Sequence, residues 1–153
     1  MSDGSMNAGG SHAAGFASVT LVSFDIDGTL EIGDPPGIVT ISMVRLAKSL
    51  GYVIGSCSDR PIGYQQALWA RLAIAVDFTV LKHRLADVRA RFAAASYYHI
   101  GDTDVDEFFA TGAGFRFLRA DAAAHRAWGP ELRLTGSAAP RDFSRGWPPS
   151  PLA

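Results

Sequence analysis

Short apolar runs of strand length alternate with segments of helical spacing through the middle of this chain, and this alternation limits its fold more than any other feature. The apolar runs lie at 19–24, 52–57, 78–81, 97–100 and 115–118. The segments between them predict helices over 41–50, 61–72, 83–94 and 105–111, the first of them between Thr40 as N-cap and Gly51 as C-cap. Short apolar strands that alternate with helices form parallel sheets covered by helices on both faces. The sequence therefore predicts an α/β fold with a doubly wound, Rossmann-like parallel sheet of about five strands.

The two ends of the chain differ in composition from its middle. The 153 residues suffice for one domain with a core, and 48% hydrophobic and 19% charged residues are typical of a globular protein. Residues 1–17 are mostly Gly, Ser, Ala and Asn, and residues 122–153 are rich in Pro, Gly and Ser, although Phe143 and Trp147 could dock on the core. We therefore expect a flexible N-terminal tail over 1–17, a folded domain over 18–121 and a C-terminal tail over 122–153.

Charge, cysteine content and the length of the apolar runs argue against several classes of protein. The formal net charge of −1 gives no basic field, which argues against nucleic acid as a partner without excluding it. Cys57 is the single cysteine, so no internal disulfide can form and a reducing compartment is the simpler expectation. No apolar run approaches the roughly 20 residues of a membrane span, and the first residues lack the pattern of a signal peptide. A cytoplasmic protein without a membrane partner is expected.

Polar side chains follow four of the predicted strands at the points where these strands end. Asp25 and Asp27 follow the first strand, "SDRP" (58–61) the second, Lys82 the third and "GDTDVD" (101–106) the fourth. In open parallel sheets, ligands bind beyond the carboxyl ends of the strands, so these groups should face one crevice.

Each of these residues has a plainer explanation when it is taken alone. Asp27-Gly28 is a common hairpin turn, Lys82 suits a solvated helix start, and Ser56 competes with Ser58 as the hydroxyl at the second strand. The segment "LEIGDPPGIVT" still predicts a small hairpin turning at 33–37 after the first acids. Four polar strand ends in one order favour a site over four unrelated accidents.

This combination of groups has a specific chemistry. Carboxylates from different strands make an oxygen-lined site for a hard cation such as Mg²⁺. A lysine and a hydroxyl opposite them would hold phosphate oxygens. A carboxylate can attack phosphorus to form an aspartyl-phosphate, and a second one can protonate the leaving oxygen and then activate water.

The four strand ends also resemble the motifs of the haloacid dehalogenase-like (HAD) superfamily. "FDIDGTL" resembles its first motif, DxDGT after a strand; "SDRP" is similar to the second, Lys82 to the third and "GDTDVD" to the fourth. "GAGFRFL" is similar to the stretch that follows the fourth motif, and the resemblance covers about residues 19–118.

The resemblance implies a role for each matched residue. Asp25 would be the nucleophile and a Mg²⁺ ligand, and Asp27 would be the general acid and base, with its backbone carbonyl also on the metal. Ser58 would bind the phosphoryl group and Lys82 would neutralise its charge. The fourth motif would supply two more acids, Asp102 as a metal ligand and Asp106 as a ligand through water or an orienter of Lys82. The roles of Asp104, Arg60 and His99 stay open.

An acid at position 27 implies phosphate transfer, mostly by phosphatases, because related transport ATPases have threonine there and dehalogenases lack the acid. The intervals from Asp27 to Ser58 and from Ser58 to Lys82 are too short for an inserted cap domain, which needs about 50 residues. We therefore expect a capless, Mg²⁺-dependent phosphatase. Its site would be covered by a large phosphorylated substrate or by a neighbouring subunit of a homo-oligomer.

Two other classes of protein compete with the enzyme. One is a HAD-fold module that binds or senses a phosphorylated ligand with little turnover. The other is a receiver domain, which also binds Mg²⁺ but carries its phospho-acceptor at the third strand, where this chain has Lys82. Hydrolysis of a generic aryl phosphate with and without Mg²⁺ would separate enzyme from module.

Overall fold

The structure, a computed structural model that describes residues 18–135, contains one five-stranded parallel sheet and five α-helices. The strands are β1 (Thr20–Phe24), β2 (Val53–Ser58), β3 (Phe78–Leu81), β4 (Ser96–Gly101) and β5 (Arg116–Arg119). The helices are α1 (Ile41–Ser49), α2 (Ile62–Arg71), α3 (Leu85–Arg91), α4 (Asp104–Gly112) and α5 (Ala122–Leu132). The strand order is β3-β2-β1-β4-β5, and every pairing is parallel. The predicted α/β fold with a parallel sheet of about five strands is confirmed.

Two hydrophobic cores lie on opposite faces of the sheet, because successive strand side chains point to opposite sides. On one face, Val22 and Phe24 of β1 pack with side chains of α1, α2 and α5. On the other face, Leu21 of β1 packs with side chains of α3 and α4. The central strand is thus covered by helices on both sides.

The third predicted helix is shorter than its sequence pattern suggested. Instead of one helix over 83–94, a 3₁₀ turn covers Lys82–Arg84 and α3 follows over Leu85–Arg91. Phe92 ends the helix in an extended conformation, with φ −123° and ψ 119°. The tight turn begins at the residue that follows β3, so it brings Lys82 directly to the edge of the sheet.

The prediction that a tail begins near Ala122 is wrong for residues 122–135. Asp121 caps α5 by accepting a hydrogen bond from the Ala124 N–H at 2.7 Å. The helix buries Trp128 and Leu132, and Leu134 beyond it is fully buried in the same core as β1. The domain therefore extends past residue 121. The remaining predicted tail segments, 1–17 and 136–153 with Phe143 and Trp147, lie outside the described residues.

Replacing Leu132 by alanine should lower the free energy of unfolding by about 2–5 kcal/mol, because a buried leucine leaves a cavity when it is truncated. Leu132 is only 2% exposed. Urea denaturation measures the change, and Arg126→Ala on the exposed side of the same helix should stay within about 0.5 kcal/mol of the parent protein. Equal stabilities of the two variants would contradict the packing of α5.

The predicted hairpin after the first acids is also wrong. The segment is a loop with one isolated bridge between Leu30 and Val39, and that bridge is parallel. The N–H of Glu31 donates to the carbonyl of Val39 at 2.8 Å, and the N–H of Val39 donates to the carbonyl of Thr29 at 2.9 Å, which is the pattern of a parallel pair. The loop and α1 together fill the interval between β1 and β2.

Among the described residues, no helix has the length and apolar character that crossing a bilayer requires.

Candidate functional site

The carboxyl edge of the sheet gathers the polar residues that end four strands. Asp25 continues β1, and its N–H donates to the carbonyl of Ile100 in β4 at 2.9 Å. Ser58 is the last residue of β2 and is paired with Leu81, which directly precedes Lys82. Asp102 follows the last residue of β4. The strand register therefore puts these side chains on one edge, as the alternation of strands and helices predicted.

Three carboxylates form the centre of this edge. Each of Asp25, Asp102 and Asp106 offers an oxygen within 4.8 Å of the other two. Asp25 is 3% exposed and Asp106 is fully buried. Buried like charges at this spacing repel each other unless a cation or a proton lies between them. The cluster is therefore a candidate site for a hard divalent cation, which prefers carboxylate oxygens.

Gly28 makes room for the Asp102 carboxylate in this cluster. Its φ of +78° lies in the left-handed region that favours glycine. A Cβ built on Gly28 would lie 1.9 Å from Oδ2 of Asp102, far inside van der Waals contact. The glycine of the "DGT" sequence is therefore required by a close approach of backbone to carboxylate as well as by the turn.

Lys82 supplies positive charge to the cluster. Its Nζ lies 3.2 Å from Oδ1 of Asp106, 3.5 Å from Oδ2 of Asp59 and 3.8 Å from Oδ1 of Asp25. Burial alone would lower the pKa of Lys82, but the charges of Asp25 and Asp106 outweigh it and raise the pKa. The amine is therefore a permanent cation. Asp59, which was not singled out from the sequence, is largely exposed and marks the solvent side of this cation.

The Asp25 carboxyl is the group that this environment perturbs most visibly. Burial, and next the charge of Asp106, raise the pKa of Asp25 to about 8, against the lowering effect of Lys82. Thr29 Oγ1 donates to Asp25 Oδ2 at a long 3.3 Å. One ammonium thus does not compensate the cluster fully, and a bound cation would supply the missing positive charge.

In protein freed of divalent cations, the free energy of unfolding should fall as the pH rises from 3.8 to about 8. In that window the folded state retains a proton on Asp25 that the unfolded state loses, so deprotonation favours unfolding. The other acids whose pKa values are lowered affect the free energy of unfolding only below this pH range. Urea denaturation in EDTA across this range measures the slope. Asp25→Asn should flatten it, and the exposed Asp104→Asn should not; equal slopes for parent and Asp25→Asn would contradict the assignment.

Asp106 has all its acceptor positions occupied within the protein. Oδ1 faces His99 Nε2 and Lys82 Nζ, both at 3.2 Å, and Oδ2 accepts from the N–H and the hydroxyl of Thr103 at 3.2 and 2.9 Å. Burial alone would raise the pKa of Asp106, but the hydrogen bond and charge of His99, the charge of Lys82 and the bond from Thr103 lower it well below its ordinary value. Asp106 is therefore an ionised group that is fixed in orientation.

Asp27 lies outside the three-acid cluster and pairs with Arg60. Arg60 Nε and one terminal nitrogen donate to the two carboxylate oxygens of Asp27 at 2.7 and 3.2 Å. The N–H of Asp34 donates to the same carboxylate at 2.9 Å. Burial alone would raise the pKa of Asp27, but the bonds from Arg60 and Asp34 outweigh it and lower the pKa. Arg60, whose role the sequence left open, forms an ion pair in this structure, and Tyr64 stacks on its guanidinium.

The two serines of β2 have different surroundings. Ser58 lies at the strand end, and its Oγ accepts from the N–H of Arg60 at 3.0 Å, which leaves its own hydrogen to donate. Ser56 points into the core, where it donates to Gln65 Oε1 at 2.6 Å and accepts from Trp69 Nε1 at 3.0 Å. The hydroxyl that faces the site edge is therefore that of Ser58.

Gln65 is a buried polar residue that sequence reasoning missed. Its Nε2 donates to the carbonyl of Arg60 at 2.8 Å and to the carbonyl of Val80 at 3.1 Å. It therefore ties the loop after β2 to β3, next to the site. A glutamine on a helix with mixed polarity carries no sequence signal for such a role, because the signal lies in contacts with two other elements.

Asp104 and His99, whose roles the sequence left open, lie in different environments. Asp104 is the first residue of α4 and pairs in solvent with Arg119 at 2.8 Å, which fits an exposed acid at a helix N-terminus. His99 is fully buried in β4 and contacts Asp106.

The arrangement as a whole can bind a cation at three carboxylates and an anion at an ammonium and a hydroxyl. The cation side is Asp25, Asp102 and Asp106, and the anion side is Lys82 and Ser58. Asp27 stands beside them on its own ion pair. Comparison of the chain with protein-family models and with curated proteins finds no match.

Proposed function

We propose that this protein is a Mg²⁺-dependent phosphatase of the HAD type that hydrolyses a phosphate monoester through an aspartyl-phosphate. The observation that carries the proposal is the cluster of three carboxylates at the carboxyl edge of the sheet, of which the buried Asp25 and Asp106 lie 3.8 and 3.2 Å from the Lys82 ammonium. Such a group binds a hard cation and an oxyanion side by side, which is what phosphoryl transfer requires. The resemblance of four strand ends to the HAD motifs supports the same reaction.

Asp25 and Asp102 are the residues that we expect to hold Mg²⁺ directly, together with the backbone carbonyl of Asp27. Asp106 would orient Lys82 and add its negative charge without binding the metal, since four protein donors already occupy its carboxylate. The space that Gly28 leaves for Asp102 and the raised pKa of Asp25 both fit a site built for a cation. When bound, the metal would neutralise charge on the phosphoryl oxygens and on Asp25.

In the first step, an oxygen of Asp25 forms a bond to phosphorus while the bond from phosphorus to the leaving oxygen breaks. Asp27 gives its proton to that leaving oxygen. In the second step, Asp27 takes a proton from water, the water oxygen attacks phosphorus, and the bond to Asp25 breaks to release inorganic phosphate. Lys82 and Ser58 hold the phosphoryl oxygens through both steps.

The ion pair between Arg60 and Asp27 bears on both candidate functions. An acid role for Asp27 requires a proton, and the fork from Arg60 keeps the carboxylate ionised. Turnover thus requires the pair to loosen when substrate binds. A protein in which the pair persists would bind a phosphorylated ligand and turn it over poorly, so this contact specifically favours a phospho-ligand-binding module as the second candidate.

Excess EDTA should abolish hydrolysis of nitrophenyl phosphate, and added Mg²⁺ should restore it. The expected reason is that burial, and next the charge of Asp106, raise the pKa of Asp25 to about 8, so that the nucleophile is mostly protonated at neutral pH without a compensating cation. Steady-state rates with Mg²⁺, with EDTA and after re-addition measure the effect. A rate that EDTA leaves unchanged would contradict the metal, and a protein that binds phosphate in Mg²⁺ without any hydrolysis would favour the module.

The two intervals in which an inserted cap would lie contain only elements of the core fold and one loop, among the residues that the structure describes. Between Asp27 and Ser58 lie one loop and α1, and between Ser58 and Lys82 lie α2 and β3. We therefore propose a capless enzyme whose substrate, or a second copy of the chain, excludes water from the crevice. Activity on a panel of phosphometabolites and on phosphorylated macromolecules, with the oligomeric state measured in parallel, distinguishes these covers.

A further inference from the structure

His99 lies within the sheet next to the site, and both of its ring nitrogens contact other side chains. It is 1% exposed, on the same face of the sheet as Ser23, its register partner in β1. Nδ1 lies 2.9 Å from Ser23 Oγ, and Nε2 lies 3.2 Å from Oδ1 of Asp106. A chain of contacts therefore runs from Ser23 through His99 and Asp106 to Lys82.

The direction of the central hydrogen bond follows from the partners alone. An ionised carboxylate only accepts, so the His99 nitrogen that faces Asp106 carries a hydrogen in either charge state of the ring. The Ser23 hydroxyl can donate or accept, so it is compatible with both states. The contact between His99 and Asp106 is therefore a hydrogen bond that His99 donates.

Oδ1 of Asp106 is shared between His99 on the core side and Lys82 on the crevice side. Lys82 has a competing partner toward solvent, because the exposed Asp59 lies 3.5 Å from its Nζ. Without the donor from His99, the Asp106 carboxylate would lose its anchor in the sheet. Lys82 would then be free to shift toward Asp59 and away from Asp25.

We propose that His99 is a positioning residue that acts through Asp106 to hold the Lys82 ammonium beside Asp25. A buried histidine that only filled space could be replaced by an apolar side chain of similar size at little cost to the site. A histidine that anchors Asp106 cannot. The effect of His99 on turnover rests on the proposed phosphatase function, whereas its effect on the position of the Lys82 amine does not.

The first arm of the test is kinetic and compares three variants of the full chain. His99→Leu removes the donor and should lower kcat/KM roughly tenfold, and His99→Gln, whose amide can reach the position of Nε2, should restore most of that loss. The same His99→Leu change in a Lys82→Met background should cost less than about twofold, because the residue through which it acts is gone. Tyr52→Phe, which removes a hydrogen bond to Leu132 at the far end of β2, is the control for lost stability.

The second arm needs no turnover and uses the two lysines of the chain, Lys48 and Lys82. Labelling with an amine-reactive reagent, read by mass spectrometry of the peptides, gives the rate at Lys82 relative to the exposed Lys48. His99→Leu should raise that ratio at least about threefold, while His99→Gln and Tyr52→Phe stay near the parent protein. Ser23→Ala should raise the labelling ratio less. This variant replaces His99→Leu in the test if His99→Leu does not fold.

The outcomes separate this proposal from the function on which it rests. A labelling ratio unchanged in His99→Leu overturns the positioning role even if the protein is an active phosphatase. An equal loss of kcat/KM in His99→Gln and in His99→Leu also overturns the positioning role, because the hydrogen-bond donor would then be irrelevant. A parent protein without hydrolysis, with the labelling shift intact, overturns the phosphatase function and supports the positioning role.

Discussion

Asp25→Asn should lower the turnover of every phosphate monoester by roughly 10⁴- to 10⁶-fold, the order of loss that follows removal of a catalytic nucleophile. Asparagine keeps the shape of the side chain, but it cannot form the acyl phosphate and it removes one charge from the cation site. Because Asp25 would be the nucleophile for every substrate, the loss should be large whether the leaving group is a nitrophenol or an alcohol. Steady-state rates on both substrate types measure this result.

The fold should survive this change, so lost activity cannot be attributed to unfolding. Asp25 is buried with a raised pKa, and its neutral replacement avoids the cost of ionising it. Asp25→Asn should therefore melt no lower than the parent protein in EDTA near pH 8. Asp104→Asn, which removes an exposed acid of α4, should keep both activity and stability. Normal turnover by Asp25→Asn would contradict the covalent mechanism itself.

Asp27→Asn should lower the rate of the phosphorylation step by about 10²- to 10⁴-fold for an alkyl phosphate, but far less for a nitrophenyl phosphate. An alkoxide leaves poorly without a proton, whereas an acidic nitrophenol leaves unaided. The difference between the two substrates therefore reports proton donation by Asp27 and is insensitive to a general loss of binding.

Single-turnover kinetics are needed for this comparison, because Asp27 would also act as the base in the hydrolysis of the aspartyl-phosphate that both substrates share. Arg60→Gln, which frees Asp27 from its ion pair, should keep the dependence on the leaving group. Equal losses on the two substrates in Asp27→Asn would remove the acid role from Asp27.

The position of the candidate site could be predicted from the sequence because a parallel sheet aligns its strand ends. Asp25, Ser58, Lys82 and Asp102 each come at or directly after an apolar run, and hydrogen bonding between strands leaves little freedom in where those runs end. The topology brings together residues that are up to 81 positions apart in sequence, from Asp25 to Asp106.

The helix α5 could not be predicted from its composition, because its stability comes from packing. Three alanines begin it, and Gly129-Pro130 near its end is a pair that usually breaks helices. Burial of Trp128 and Leu132 against the sheet outweighs these weak local preferences. Asp121 before a run of alanines was the one local signal, since aspartate is a strong N-cap.

The partners of the charged groups were beyond sequence reasoning for a different reason. The pairing of Asp27 with Arg60 and the sharing of Asp106 between His99 and Lys82 depend on side-chain rotamers on separate elements. Motif spacing assigns such residues to an edge of the sheet, but it contains no information on which donor each carboxylate accepts.

A single base change in the codon of Gly28 would be enough to disrupt the candidate cation site. Every glycine codon is one base change from alanine, valine and an acidic residue, and any of these would place a Cβ 1.9 Å from the Asp102 carboxylate. A protein with such a substitution would keep all of its acids and Lys82, but its carboxylates could no longer gather at one cation. A comparison of sequences by their acids alone would therefore miss this loss, so glycine at position 28 belongs among the markers of the proposed metal site.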